Sequence, residues 1–264
     1  MKLRLAAYLI VSTVLAGCPA VYPELGTRTR PMAPGVPLDP KPPADLVWMR
    51  FLSARGPERT RAGRAWGASG KPSAYAKVLV NGKELFKTPP ESGTFEPTWP
   101  SGPRGNWKLG AGDKLRVEVW DSAALNDSPI GARDIGAPSE QHLLDKRIRV
   151  EFDDGGEVVL AFEPAHPVLG LGLWFELRTG GCGITRLLEG SPAERAGIKA
   201  GDDVLKIGSR QVSAMTADEV KSAFNAVPFD GLSITIKHTG GALADVTLKE
   251  GPIYPVFAEF GPVD

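Results

Sequence analysis

The sequence predicts a mainly β protein of two modules behind an N-terminal leader. Short apolar or alternating runs recur between Gly- and Pro-rich turns from residue 45 onward, the pattern of an antiparallel sandwich. Asn81-Gly82 sits between Lys77-Val78-Leu79-Val80 and Lys83-Glu84-Leu85-Phe86, a strong hairpin signal. A length of 264 residues favours two domains.

Composition narrows the function classes. Hydrophobic residues make up 42% and charged residues 23% of the chain, ordinary for a globular protein. The formal net charge is zero, so bulk charge implies no polyanion, and a nucleic-acid partner is not expected. With two cysteines and three histidines, His142, His166 and His238, no Cys/His metal cluster is expected, and neither a metal nor a cofactor is implied.

At the N-terminus, Lys2 and Arg4 precede an apolar run from Leu5 to Leu15. It is too short to span a bilayer and reads as a secretory signal sequence. Leu15-Ala16-Gly17-Cys18 closes it and resembles the lipobox of bacterial lipoproteins. That resemblance implies a signal peptide over 1–17, cleavage before Cys18, and lipid attachment through its thiol. Acylation by more than one chain would anchor stably. The expected location is a bacterial cell-envelope membrane, the outer one being favoured. Cys182 would then have no partner and is expected to be buried as a small apolar residue. Residues 18–44 hold eight prolines and little apolar periodicity. They read as a linker, partly extended as polyproline II, that holds the first domain away from the membrane.

From Asp45, strands are expected at 46–52, 74–79, 114–120, 148–152 and 157–162, with a helical turn or two within 139–145. Ala74-Tyr75-Ala76-Lys77-Val78, Gly93-Thr94-Phe95-Glu96-Pro97-Thr98-Trp99, Leu115-Arg116-Val117-Glu118-Val119-Trp120-Asp121 and Pro129-Ile130-Gly131 resemble a C2 domain over 45–163. Many C2 domains bind Ca²⁺ between loops at one end. Calcium needs six to eight oxygens, mostly carboxylate. Ser73, Ala123 and Ser128 stand where the family's motif carries acids. Asp121 and Asp127 remain as remnants of a degenerate site, so a calcium-independent sandwich is expected. Its first loop carries Arg55, Arg59, Arg61, Arg64 and Lys71 against the single acid Glu58. Two readings stay open: a solvated loop, or a contact with an anionic surface such as lipid headgroups. Trp66 either anchors at that interface or packs on the sandwich.

The last third opens with Pro167-Val168-Leu169-Gly170-Leu171-Gly172-Leu173-Trp174-Phe175. Glycines there free the backbone to bare several N–H groups, and convergent N–H groups make an anion nest. Ser191 suits an N-cap with Pro192 at the first helical position and Gly197 at C′. Thr216 with Glu219 reads as a capping box. Glu189-Gly190-Ser191-Pro192-Ala193-Glu194-Arg195-Ala196-Gly197-Ile198 and Gly201-Asp202-Asp203-Val204-Leu205 resemble the PDZ family, over 166–252. The resemblance implies a small barrel-like sheet with two helices. A peptide C-terminus would then dock on Gly170, Leu171, Gly172 and Leu173. The peptide would run along the strand at 173–178, which bears Phe175, beside the helix face of Ala217 and Lys221. Ala217 cannot select a Ser or Thr in the ligand as a histidine would. Lys221 is either a plain exposed lysine or a partner for an acidic side chain. Residues 253–264 form a tail without a clear pattern.

No Gly-x-Ser-x-Gly elbow or phosphate-binding Gly-Lys-Ser/Thr loop occurs, so catalysis is not expected. Two functions follow. One is a membrane-anchored, non-catalytic lipoprotein whose PDZ module captures protein C-termini or exposed strands. The other is a structural or secretion-apparatus component with fixed protein contacts.

Overall fold

The structure is a computed structural model describing residues 21–23, 30–32, 41–67, 69–153 and 155–262. The lipobox and Cys18 lie outside the described residues. The chain is mainly β, as expected. Two short strands come first, Val21–Pro23 (β1) and Arg30–Pro31 (β2). Leu46–Arg55 (β3), Ser73–Val80 (β4), Lys83–Lys87 (β5), Glu91–Ser92 (β6), Arg104–Lys108 (β7), Leu115–Asp121 (β8) and Ser128–Gly136 (β9) follow. A helix, Glu140–Asp145 (α1), leads to Arg147–Glu151 (β10) and Glu157–Pro164 (β11).

β3 to β11 make an antiparallel sandwich. One sheet runs β10-β11-β3-β7 and the other β5-β4-β8-β9, with β6 on β4. Met49, Phe51, Leu160 and Phe162 of the first sheet share one core with Ala76, Val78, Val117 and Val119 of the second. Each fully buried large side chain contributes about 1.5–3 kcal/mol. β4 alternates buried and half-exposed residues, as a strand with one wet face should. β11 does not alternate: Val158 to Phe162 are all buried, with Val158, Leu160 and Phe162 in the sandwich core. The Asn81-Gly82 turn joins β4 to β5 with both residues at positive φ, 51° and 80°, the two-residue hairpin expected. β7 and β9 were not among the expected strands.

The second module holds Val168–Gly170 (β12), Leu173–Arg178 (β13), Gly181–Leu187 (β14), Pro192–Arg195 (α2), Asp203–Ile207 (β15), Arg210–Gln211 (β16), Ala217–Asn225 (α3), Leu232–Lys237 (β17) and Leu243–Leu248 (β18). Its main sheet runs β1-β13-β14-β15-β17-β18, with β16 on β15. Leu173, Phe175, Ile184, Val204, Ile234 and Ile236 pack there with Val220 and Phe224 of α3. Both helices start as expected. Ser191 Oγ accepts from Glu194 N with Pro192 behind it, and Thr216 and Glu219 exchange both bonds of a capping box. Gly197 has φ 89°.

The tail packs on both modules. Gly251–Ile253 (β19) pairs with β12, and Phe257–Phe260 (α4) is the last element of the described residues. Phe257 stacks on Trp107 at 4.5 Å, and Trp107 on Phe86 at 4.5 Å. A Cβ on Gly105 would lie 3.0 Å from Phe257, so glycine there lets α4 lie flat on β7. Phe260 meets Trp174 at 5.2 Å, and Glu259 pairs with Arg186 at 2.6 Å. Buried Asn106 of β7 holds the join. Its Nδ2 donates to the carbonyls of His166 (2.8 Å) and Pro255 (3.0 Å), and its Oδ1 accepts from His166 N at 2.8 Å. The His166 ring stacks on Trp48 at 4.4 Å and meets Glu163 at 3.1 Å, so this half-buried histidine is part of the join.

The linker expected over 18–44 carries two short strands that were not expected: β1 pairs with β13 and β2 with β12. Two short pieces of it find backbone partners on the second module, which composition alone cannot foresee.

Candidate peptide groove

The groove lies between β13 and α3, and the glycine loop closes one end. Gly172 has φ 74°, a conformation that side chains resist. A Cβ there would sit 2.4 Å from Ser191 Cβ. Gly172 is therefore required by the loop's own packing, whatever the loop binds. The Leu171 carbonyl accepts from Ala193 N at 3.0 Å, and the Gly172 carbonyl from Leu188 N at 2.8 Å. In a trans peptide the N–H points opposite to the C=O. The amides of Gly172 and Leu173 are thus aimed away from α2 and Leu188. Gly172 and Leu173 are two of the four residues on which the sequence placed a peptide C-terminus. Gly170 departs from that expectation. It belongs to β12 and pairs with Gly251, so it is ladder and not open loop.

The side chains of Leu171, Leu173 and Phe175 are all core. They are buried with β1 in place, and the backbone of this edge is what β1 pairs with. On the facing helix Ala217 is exposed. Lys221 is half-buried with its Nζ 3.8 Å from Asp218 Oδ1, so it is neither fully exposed nor uncommitted. Arg210 and two donors of Thr216 hold the Glu219 carboxyl down to about 2, and this fixes the start of α3. The edge of β13 is not vacant. β1 lies antiparallel on it, with Val21 opposite Glu176, Tyr22 opposite Phe175 and Pro23 opposite Trp174. The only sequence signal was two β-prone residues, Val21 and Tyr22, between prolines, too short to read as a strand.

A profile of the PDZ domain matches residues 166–237. Residues 166–237 are a PDZ domain. PDZ domains bind peptides or protein C-termini, so this chain carries a protein-interaction module. Over 92 residues it is 27% identical to the carboxy-terminal processing protease CtpA of Bacillus subtilis (strain 168). That match takes in 34% of this chain and 20% of the protease, so the chain spans about a fifth of that relative. Among solved structures, a C2 domain aligns at TM-score 0.33 and 16% identity, over 45% of this chain and 95% of that one. A tandem pair of C2 domains from extended-synaptotagmin 2 aligns at TM-score 0.36 and 16% identity, over 55% of this chain and 49% of that one.

At the loop end of the sandwich the remnant carboxylates are already engaged. Asp121 Oδ1 accepts from Ser73 N at 2.7 Å. Asp127 accepts from Tyr75 Oη at 2.8 Å and from Ala123 N at 3.0 Å. Those two donors draw its carboxyl below the usual range, while burial and that same bond push the Tyr75 phenol up to about 12. No cluster of three or more metal-ligating side chains occurs among the described residues. In the basic loop, Arg55 pairs with Glu157 at 3.6 Å, Arg59 donates to the Gly63 carbonyl and Lys71 sits over Phe95. Arg61 and Arg64 are exposed. Trp66 is 2% exposed and donates to the Pro57 carbonyl at 2.8 Å. It packs on the sandwich and anchors in no interface.

Cys182 is buried in the PDZ core, and burial pushes its thiol up to about 12. It is an apolar filler, as expected. His238 Nδ1 lies 3.0 Å from both oxygens of buried Asp202, and His142 Nδ1 accepts from Ser139 N. Among the described residues no imidazole bonds a hydroxyl or thiol. No described helix is long and apolar enough to cross a membrane.

Proposed function

We propose that this chain is an exported, lipid-anchored, non-catalytic binding protein. Its PDZ domain captures protein C-termini or exposed strands outside the cytoplasm. The observation that carries the reading is the edge of β13, which takes an extended segment in antiparallel register, the chemistry of strand addition. The amides of Gly172 and Leu173 at the loop end supply a place for a carboxylate. The basic leader with Leu15-Ala16-Gly17-Cys18 supports the anchor. The sandwich serves as a calcium-independent support that contacts lipid or protein, with exposed Arg61 and Arg64 of the basic loop turned toward anionic groups.

A second reading, a component with fixed protein contacts, is favoured by the Asn106 join and the tail that packs on both modules. Titration of the soluble Cys18→Ser chain with a library of C-terminal peptides separates the two. Saturable binding that falls several-fold on Ala217→Glu and on amidating the peptide supports capture. Ala217 is on a helix surface, so its replacement should cost little stability. Unchanged affinity after both changes, or no saturable binding even after the N-terminal segment is released as below, favours fixed contacts.

A further inference from the structure

β1 meets β13 in the direction a captured peptide would take. Its register runs from Glu176 at Val21 to Trp174 at Pro23, toward the glycine loop. The chain does not end there. It returns as β2, where Arg30 pairs with Leu169 and Pro31 with Val168. The two pairings flank Gly170–Leu173 on both sides. The surface that would read a ligand is therefore bracketed by the chain's own β1 and β2.

We propose that β1, held beside the glycine loop together with β2, is an intramolecular ligand of the PDZ groove, and that an outside peptide enters only by displacing it. This rests on the groove reading above. Tethering gives a short covalent ligand an effective concentration near millimolar. Two short pairings are enough to hold it, yet weak enough to yield to a good competitor. An incoming peptide sees an affinity divided by the fraction of open groove. Release also changes reach. Val21 stands three residues after Cys18, about 10 Å of extended chain. With the segment freed, residues 19–44 could extend about 80 Å. Ligand capture would then move the PDZ domain from a lipid anchor's immediate vicinity outward.

The test uses the full chain carrying Cys18→Ser and a dye-labelled peptide of residues 19–25. A release variant combines Val21→Gly, Tyr22→Ser and Pro23→Gly. A locked variant combines Val21→Cys and Glu176→Cys, a cross-strand pair that mild oxidation should close. The release variant should bind the probe at least tenfold more tightly than the parent. The oxidised locked form should bind none, and reduction should restore parental binding. Equal binding by parent and release variant overturns the proposal, as does failure of the Cys pair to form. If the release variant takes C-terminal library peptides but not the probe, the self-ligand is refuted and the groove reading stands. If it takes neither, both are refuted.

Discussion

Asn106→Ala removes three hydrogen bonds of one buried side chain, at the point where sandwich, linker and tail meet. Asn106 is 0% exposed, so water cannot replace the lost side chain without rearrangement. The change strands the His166 N–H and the carbonyls of His166 and Pro255. A buried polar group left without a partner costs about 1–3 kcal/mol. His166 is half-buried, so its groups recover part of their bonding from solvent, and the expected total is about 3 kcal/mol. Against a native stability of about 5–15 kcal/mol, that is a large fraction. For a chain of this size about 1 kcal/mol moves the melting temperature by about 2–4 °C, so a fall of roughly 6–12 °C is expected. Urea unfolding at constant slope should show the matching shift in midpoint, and amide exchange at His166 should accelerate. Asn106→Asp should be comparably harmful, because it keeps the acceptor but loses both donors and buries a charge. A loss below about 1 kcal/mol with unchanged exchange at His166 would refute the claim that this residue holds the modules together.

Cys18→Ser should release soluble protein from the membrane fraction; a mutant that still partitions as the native chain does would place the anchor elsewhere. Millimolar Ca²⁺ and chelator should give the same melting temperature, because Asp121 and Asp127 already serve Ser73, Tyr75 and Ala123. A bound ligand at a hundredfold excess over Kd would add about 2.7 kcal/mol, so a clear calcium-dependent rise would overturn this. Glu219 titrates below its ordinary 4.5, at about 2, with the Arg210 bond the largest cause. A depressed carboxylate stabilises the native state above its unfolded pKa and loses that contribution as pH falls through the folded one. Amides of the first turn of α3 should therefore lose exchange protection between pH 4.5 and about 2, and Glu219→Gln should mimic this at neutral pH; protection unchanged in both would sink the idea.

Local chemistry determined much of this protein from sequence alone. Asn81-Gly82, Ser191-Pro192 and the Thr216–Glu219 box each carry their partner within a few residues, so the turn and both helix starts were legible. Alternation located the core faces of β4 and β13, and the glycine loop marked the groove. What needed distant partners was not legible. Asn106 reads as an ordinary polar residue until His166 and Pro255 arrive 60 and 149 positions away. The tail shows no period because its Phe257 and Phe260 answer to Trp107 and Trp174, not to each other. Trp66 offered two destinations, and only the nearby Pro57 carbonyl decided between them. β1 is the clearest case. Three residues carry too little pattern to declare a strand. Their state is set by the unpaired backbone of β13, and only the folded chain brings it beside them.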